Sequence, residues 1–252
     1  MELAITLLLV ITRLLAVAMT APLLGSRVVS TRMRLGIAVA VAILAFPLVE
    51  FSHVPQEPTA VGSALISEAL IGSLLGFGVT ILFAAAYMVG EVIAQLAGIQ
   101  IADQLDPSLG STSSTVGRLF ALLSLAVFAL VHGPEMVVSA VLDTFVSLPP
   151  GTPIQTGSML ELVKQLLQQS FVLTLRGVAP AVASLLISTL VIGLIGRTYP
   201  QMNMLQVGLS SNLVVMLLAI FLTLGGCLWL FVDNWQEAIV FIETSIAPCA
   251  VK

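Results

Sequence analysis

The chain has 252 residues, of which 58% are hydrophobic and 9% charged, with a formal net charge of −4 and a mean hydropathy of +1.12. A soluble globule of this size would clothe itself with about a quarter charged residues, so the composition excludes one and specifies an integral membrane protein. The few charges are widely spread and form no basic patch, which excludes nucleic acid as a partner.

Apolar runs bounded by proline, glycine or charge predict helices near residues 3–24, 35–51, 61–101, 117–148, 171–196 and 205–232. The expected fold is therefore all-α and membrane-associated, with five or six long hydrophobic helices and helical hairpins. The first stretch opens Met1-Glu2-Leu3 without a positive n-region, and Arg13 lies on the wrong side of it for a signal peptide. Residues 1–24 are read as a retained helix. Arg27, Arg32 and Arg34 share the next short loop, and the positive-inside rule puts that loop in the cytoplasm and the N-terminus outside. Ser52 to Pro58 forms a connector in which Pro55 and Pro58 forbid helix continuity.

The run from Val61 to Ile101 has no proline and is interrupted only by Glu68, Glu91 and Gln95. As one helix it would be about 60 Å long, roughly twice the hydrocarbon core of a bilayer. Either it folds back near Gly72, Gly76 and Gly78, or it stands partly outside lipid, sheathed by protein. Both readings indicate a subunit of a membrane assembly. Small residues recur four apart at Gly72, Gly76, Thr80 and Ala84, and again at Ala86, Gly90, Ala94 and Gly98. Such rows let helix backbones approach closely, against a general richness of Gly and Ala in membrane helices.

The loop from Gln100 to Gly117 begins with apolar Ile101 and Leu105, meets a helix stop at Asp106-Pro107, and continues through Leu109 into a Ser/Thr/Gly run. By composition alone it reads as a surface loop. After the fourth helix, Leu148-Pro149-Pro150-Gly151-Thr152-Pro153 marks the boundary between two halves, 1–150 and 151–252. Ser158 to Gln169 follows, amphipathic through Met159, Leu162, Val163, Leu166 and Leu167, and is expected at an interface with lipid headgroups or a partner.

Enzymatic chemistry finds no foothold. The chain has two histidines, His53 and His132, and no Walker A loop, HExxH or GxSxG. His132 beside Gly133-Pro134 reads as a turn residue rather than a ligand. The two cysteines, Cys227 and Cys249, have no CxxC spacing and support neither a metal nor a redox site. No cofactor is implied. Arg13, Glu68, Glu91 and Arg176 lie inside apolar segments, where a lone charge is costly, so each must face protein, a counter-charge or water. A proton or ion relay, as in a stand-alone ion-coupled secondary transporter, is one reading. Ion pairing that locks helices or subunits together is the other, favoured because the acids are isolated rather than clustered.

The order and spacing of several blocks carry a resemblance. Arg13, then Ala21-Pro22-Leu23-Leu24-Gly25-Ser26-Arg27 with Arg32, Arg34 and Leu35, resembles the opening of the FliR-like family, the R subunits of the flagellar type III export gate and their injectisome relatives. Glu68-Ala69-Leu70-Ile71-Gly72, Gly76, Gly90-Glu91, Ala97-Gly98, Asp106-Pro107 and Ser147-Leu148-Pro149 resemble its central block. Pro200-Gln201-Met202-Asn203-Met204 with Val207-Gly208-Leu209 is similar to its most specific motif. The chain departs from the family at Ser30, where proline is usual, at Ala97, where methionine is frequent, and at Asp103 and Gln104 among the apolar residues before Asp-Pro.

The resemblance implies a concrete role. Such proteins join P-like, Q-like and B-like subunits in a helical core that forms the pore for unfolded export substrates, in the bacterial inner membrane at the flagellar basal body. Part of the assembled core stands on the periplasmic side. The resemblance also implies a P-like part at 1–150 and a Q-like part at 151–252. Ile101, Leu105, Asp106, Pro107 and Leu109 would belong to a plug that closes the pore, and the chain would be a gate and conduit rather than a catalyst.

Overall fold

The computed structural model describes residues 2–22, 30–48, 58–98, 115–151, 156–199 and 210–221, together with positions 201, 207, 208, 225, 229 and 232. Among these residues all regular structure is helical. The elements are α1 (Glu2–Thr20), α2 (Thr31–Ala45) with a 3-10 turn at Phe46–Leu48, α3 (Pro58–Leu96), α4 (Thr115–Leu130), α5 (Gly133–Ser147), α6 (Thr156–Thr198) and α7 (Ser210–Phe221). Helices α1, α3 and α6 are each long and apolar enough to cross a membrane, and α4 with α5 makes a further, broken candidate. The protein is an all-α membrane protein.

Local chemistry sets the ends of these helices. Ser30 precedes α2 at φ −64° and ψ 146°, and its hydroxyl oxygen accepts from the Met33 N–H at 3.4 Å. That φ is the value a proline ring would impose, so serine keeps the backbone path and adds a cap. Pro58 is the first residue of α3, where a missing N–H costs no helical hydrogen bond. At the other end Gly98 takes a left-handed φ of 79° and donates to the Gln95 carbonyl at 3.1 Å, closing the helix.

The long apolar run does not fold back. Helix α3 is continuous over 39 residues, with Gly72, Gly76 and Gly78 in its interior, and its most apolar stretch is largely covered by the chain's own side chains and backbone.

Two other expectations change. The single helix read at 117–148 is broken into α4 and α5, because Pro134 removes a backbone donor and His132 turns left-handed at φ 57°. The amphipathic piece 158–169 and the helix 171–196 are one helix of 43 residues, since no proline or glycine separates them and Pro180 is accommodated within it. On its apolar face Leu162 and Leu166 are buried in the chain's own core, with Met159 packed alongside, while Leu167 is exposed.

The described residues form two compact units, each assembled from separate stretches: those within 1–82 and 129–169 in the first, and those within 83–128 and 170–234 in the second. This division follows spatial packing, and α3 and α6 each contribute to both units. The core of the first joins Val10, Leu14 and Val17 of α1, Ala38 and Ala42 of α2, Ile71 and Leu75 of α3, and Val141 and Phe145 of α5 to the α6 leucines. In the second, Phe83 and Phe128 meet edge to face at 5.4 Å. There α6 and α7 pair antiparallel, with Ser188 donating to Asn212 Oδ1 at 2.8 Å.

Candidate functional site: a buried ion-pair clamp

Arg13 stands in the middle of α1 with its side chain fully buried, a position that is tolerable only if the guanidinium is neutralised and its donors are filled. Its Nε donates to Glu68 Oε2 on α3 at 2.6 Å. Nη1 donates to the carbonyl and hydroxyl oxygens of Thr144 at 3.1 and 3.2 Å, and Nη2 to the Leu148 carbonyl at 3.1 Å. The guanidinium carbon also lies 4.4 Å from the ring centroid of Phe145, within cation–π range.

These acceptors are the C-terminal end of α5. The last carbonyls of a helix lack internal donors and carry the negative end of its dipole, which favours a cation there. Helix α5 has no basic residue in its own last turn, so α1 supplies one from a distance of 131 residues. Thr144 is prepared for this: its hydroxyl hydrogen goes to the Val141 carbonyl at 2.6 Å, leaving the oxygen free to accept.

Glu68 completes the joint. Its second oxygen, Oε1, accepts from the Gly151 N–H at 3.1 Å, where Gly151 holds φ at 89°, a conformation that favours glycine. The clamp therefore fastens α1, α3, the end of α5 and the Pro-Pro-Gly turn behind it. Both carboxylate oxygens are occupied, and no nucleophile lies among these groups. Chemically it is a joint, not a reactive centre.

Below the clamp, α1 and α3 run parallel in close contact. Glu68, Gly72, Gly76 and Thr80 form one row on α3, facing Arg13, Ala16 and Thr20. A Cβ at Gly72 would collide with the Arg13 carbonyl and come 2.8 Å from Ala16 Cβ. One at Gly76 would collide with the Thr20 hydroxyl and lie 3.0 Å from the Ala21 nitrogen. Thr80 then donates to the Thr20 carbonyl at 2.6 Å. This is the small-residue seam that lets membrane helices touch backbone to backbone.

The second unit has a similar contact. A Cβ at Gly90 would stand 2.6 Å from the Val116 carbonyl and 2.8 Å from Gly117 Cα, so α3 meets the start of α4 through two glycines. Glu91 is half-buried beside this contact, and Arg176 is exposed on α6. Arg13 and Glu68 pair within the first unit, while Glu91 and Arg176 belong to the second. Gly98 serves as the stop of α3 rather than as a step in a packing row.

Ile101, Leu105, Asp106, Pro107 and Leu109 lie outside the described residues, as do Pro200, Met202 and Asn203. Gln201 is an exposed turn residue, and Gly208 is in ordinary contact with Ile192 Cγ2, 3.6 Å from where a Cβ would sit. Among the described residues no group of His, Cys, Asp and Glu is placed to hold a metal ion. The sequence did not single out Thr144, Phe145, Leu148 or Gly151 as partners of the embedded charges. The glycine in Pro-Pro-Gly was the available signal, since a turn that needs φ > 0 exposes an N–H for a nearby acceptor.

The chain matches the family described as bacterial export proteins, family 1, over residues 4–238. It is 30% identical over 207 residues to the flagellar biosynthetic protein FliR of Escherichia coli strain K12, covering 81% of this chain and 78% of that one. The FliR of Caulobacter vibrioides is 26% identical over 91% of this chain and 92% of its own length. That of Bacillus subtilis strain 168 is 25% identical over 94% of this chain and 96% of its own.

Proposed function

The chain belongs to the bacterial export proteins, family 1, and we propose that it is the R subunit of a flagellar type III export gate. It builds, with P-like, Q-like and B-like subunits, the pore through which unfolded substrates leave the cell. The observation that carries this reading is similarity along almost the full length of both chains to flagellar FliR proteins from distant bacteria. In this reading residues 1–150 are the P-like part and 151–252 the Q-like part. The segment 99–114, with Ile101, Leu105 and Leu109, acts as the plug. The protein sits in the inner membrane at the basal body, with part of the assembled core on the periplasmic side.

The physical chemistry of the clamp supports a conduit over an ion-coupled transporter. A coupling carboxylate must exchange its partner for an ion or proton during each cycle. Glu68 has both oxygens engaged, one by an arginine that also holds three carbonyl and hydroxyl oxygens. The injectisome counterpart remains the second reading within the same family, and the relatives named above are flagellar.

Deletion of the gene in its own host tests the proposal. Loss of motility and of flagellar protein export, both restored by the plasmid-borne gene, is the expected result, with P-like and Q-like proteins co-purifying through a tag on this chain. A motile deletion strain, together with a tagged protein that purifies alone as a monodisperse homo-oligomer, would overturn it.

A further inference from the structure

Arg176 interrupts an apolar stretch of α6 whose nearest charged neighbours along the helix are Lys164 and Arg197. Its side chain is exposed, and among the described residues it makes no ion pair. A charge on an apolar helix is costly unless an opposite charge or water meets it. The chain's own packing lies on another side of α6. Leu173, Gly177, Ala181 and Leu185 are buried there, and a Cβ at Gly177 would come 3.0 Å from Val89 Cγ2 of α3. At about 100° per residue, Val172, Arg176, Ala179, Pro180, Ala183 and Ile187 share the opposite arc. All of these are exposed.

The arc repeats a pattern that the chain already uses to join two helices. Arg176, Ala179 and Ala183 have the spacing of Arg13, Ala16 and Thr20 on α1, the row that α3 covers with Glu68, Gly72 and Gly76. In that seam the acid takes the guanidinium, and the glycines let the two backbones touch. Pro180 adds an acceptor to the α6 arc. It supplies no N–H to the Arg176 carbonyl four residues earlier, so a hydroxyl on a neighbouring helix can fill that oxygen, as Thr80 fills the Thr20 carbonyl at 2.6 Å.

From these observations we propose that this arc of α6 is a docking seam for one helix of another subunit. The partner helix runs parallel to α6, carries Asp or Glu opposite Arg176, and has small residues four and eight positions after that acid. The arginine selects the partner by charge, and Ala179 and Ala183 admit its backbone at close range. A second copy of this chain does not supply the row, because its Glu68, Gly72 and Gly76 are already covered by its own α1. The proposal rests on the gate reading for the existence of a partner subunit, while the seam itself is read from α6.

Cross-linking of the full chain in its native membrane tests the seam. A leucine-sized diazirine residue replaces Val172 or Ile187, one at each end of the arc, and the peptides joined on irradiation are sequenced by mass spectrometry. Both positions are expected to reach one helix of another subunit, with the Ile187 link C-terminal to the Val172 link and the acid-small-small row between them. Arg176→Glu should lower recovery of that subunit with the tagged chain severalfold, and Arg176→Lys should retain most of it. Replacing the partner's acid with arginine should restore recovery with Arg176→Glu. Links to lipid alone, to a second copy of this chain or to a helix without such an acid overturn the proposal, as does full recovery with Arg176→Glu. The gate reading is judged separately, by motility and co-purification with the unsubstituted chain. If those succeed while the cross-links find only lipid, the seam alone fails; a tagged chain that purifies alone as a homo-oligomer overturns both.

Discussion

Arg13 and Leu148 are 135 positions apart in sequence and 3.1 Å apart at Nη2 and the carbonyl oxygen. The contact makes a residue in the first helix the C-terminal cap of the fifth. What it stabilises is set by what happens when either half of the buried charge pair is removed.

Glu68→Leu leaves the Arg13 guanidinium buried with neutral acceptors only. The expected loss is about 3–5 kcal/mol, because an uncompensated buried charge costs more than the pair contributes. Arg13→Met combined with Glu68→Leu should recover much of that loss, since two apolar side chains of similar volume need no counter-charge. Heating the detergent-solubilised protein and following the folded fraction by size exclusion measures both. A double variant no better than the single one would show that the hydrogen bonds to Thr144, Leu148 and Gly151, rather than charge balance, hold the joint.

Glycine substitutions along α3 should divide by what a methyl group meets. Gly72→Ala pushes a Cβ into the Arg13 carbonyl, and overpacking of this kind costs about 1–3 kcal/mol. Gly62→Ala, on the same helix with nothing within 4 Å, should instead gain about 0.5–1 kcal/mol through helix propensity. The same thermal assay reads both signs. Equal behaviour of the two variants would remove the α1–α3 seam as an explanation of the close approach between these helices.

Glu91→Gln addresses the acid beside the Gly90–Gly117 contact. If it serves packing and assembly, the yield of complex falls and secretion per complex stays constant. Quantifying exported flagellar protein against complex recovered by affinity purification decides the matter. Normal yield with abolished, pH-shifted export would mean that the carboxylate takes part in transport.

Deleting Leu105 to Ser114 tests the plug. If the segment is the plug, the complex should still assemble and the membrane should become leaky to small ions, because Leu105 and Leu109, which would fill the lumen and exclude water, are removed. Conductance of the reconstituted complex is the measurement. An intact complex with no rise in conductance would return this segment to a plain surface loop.

Much of the architecture was legible in the sequence because hydrophobic length and helix-breaking residues are local signals. Pro58 and Gly98 flank α3 close to where the apolar run begins and ends, and the row Gly72, Gly76, Thr80 announced a close helix neighbour. The break at His132 was harder to see, because one proline in the first turn of α5 competes with apolar residues on both sides. The fusion of 158–169 with the following helix was obscured by a change of pattern: an amphipathic face packed on the core gives way to a helix apolar all round. The clamp was only half legible. Buried charge demands partners, and Arg13 and Glu68 met that demand together, but the acceptors at Thr144 and Leu148 are two backbone carbonyls and one threonine hydroxyl, with no signature of their own.

The same clamp constrains how the chain can enter a membrane. Arginine at the centre of a transmembrane helix resists insertion by about 2.5–3.5 kcal/mol, so α1 alone is a poor span. Its counter-charge is synthesised 55 residues later, and the acceptors of its remaining donors later still, at Thr144 and Leu148. Helix α1 therefore becomes a settled span only after α3 has emerged, and the joint closes only once the Pro-Pro-Gly turn is made. Biogenesis of the first unit is ordered by its electrostatics, with the first helix made being among the last to be locked.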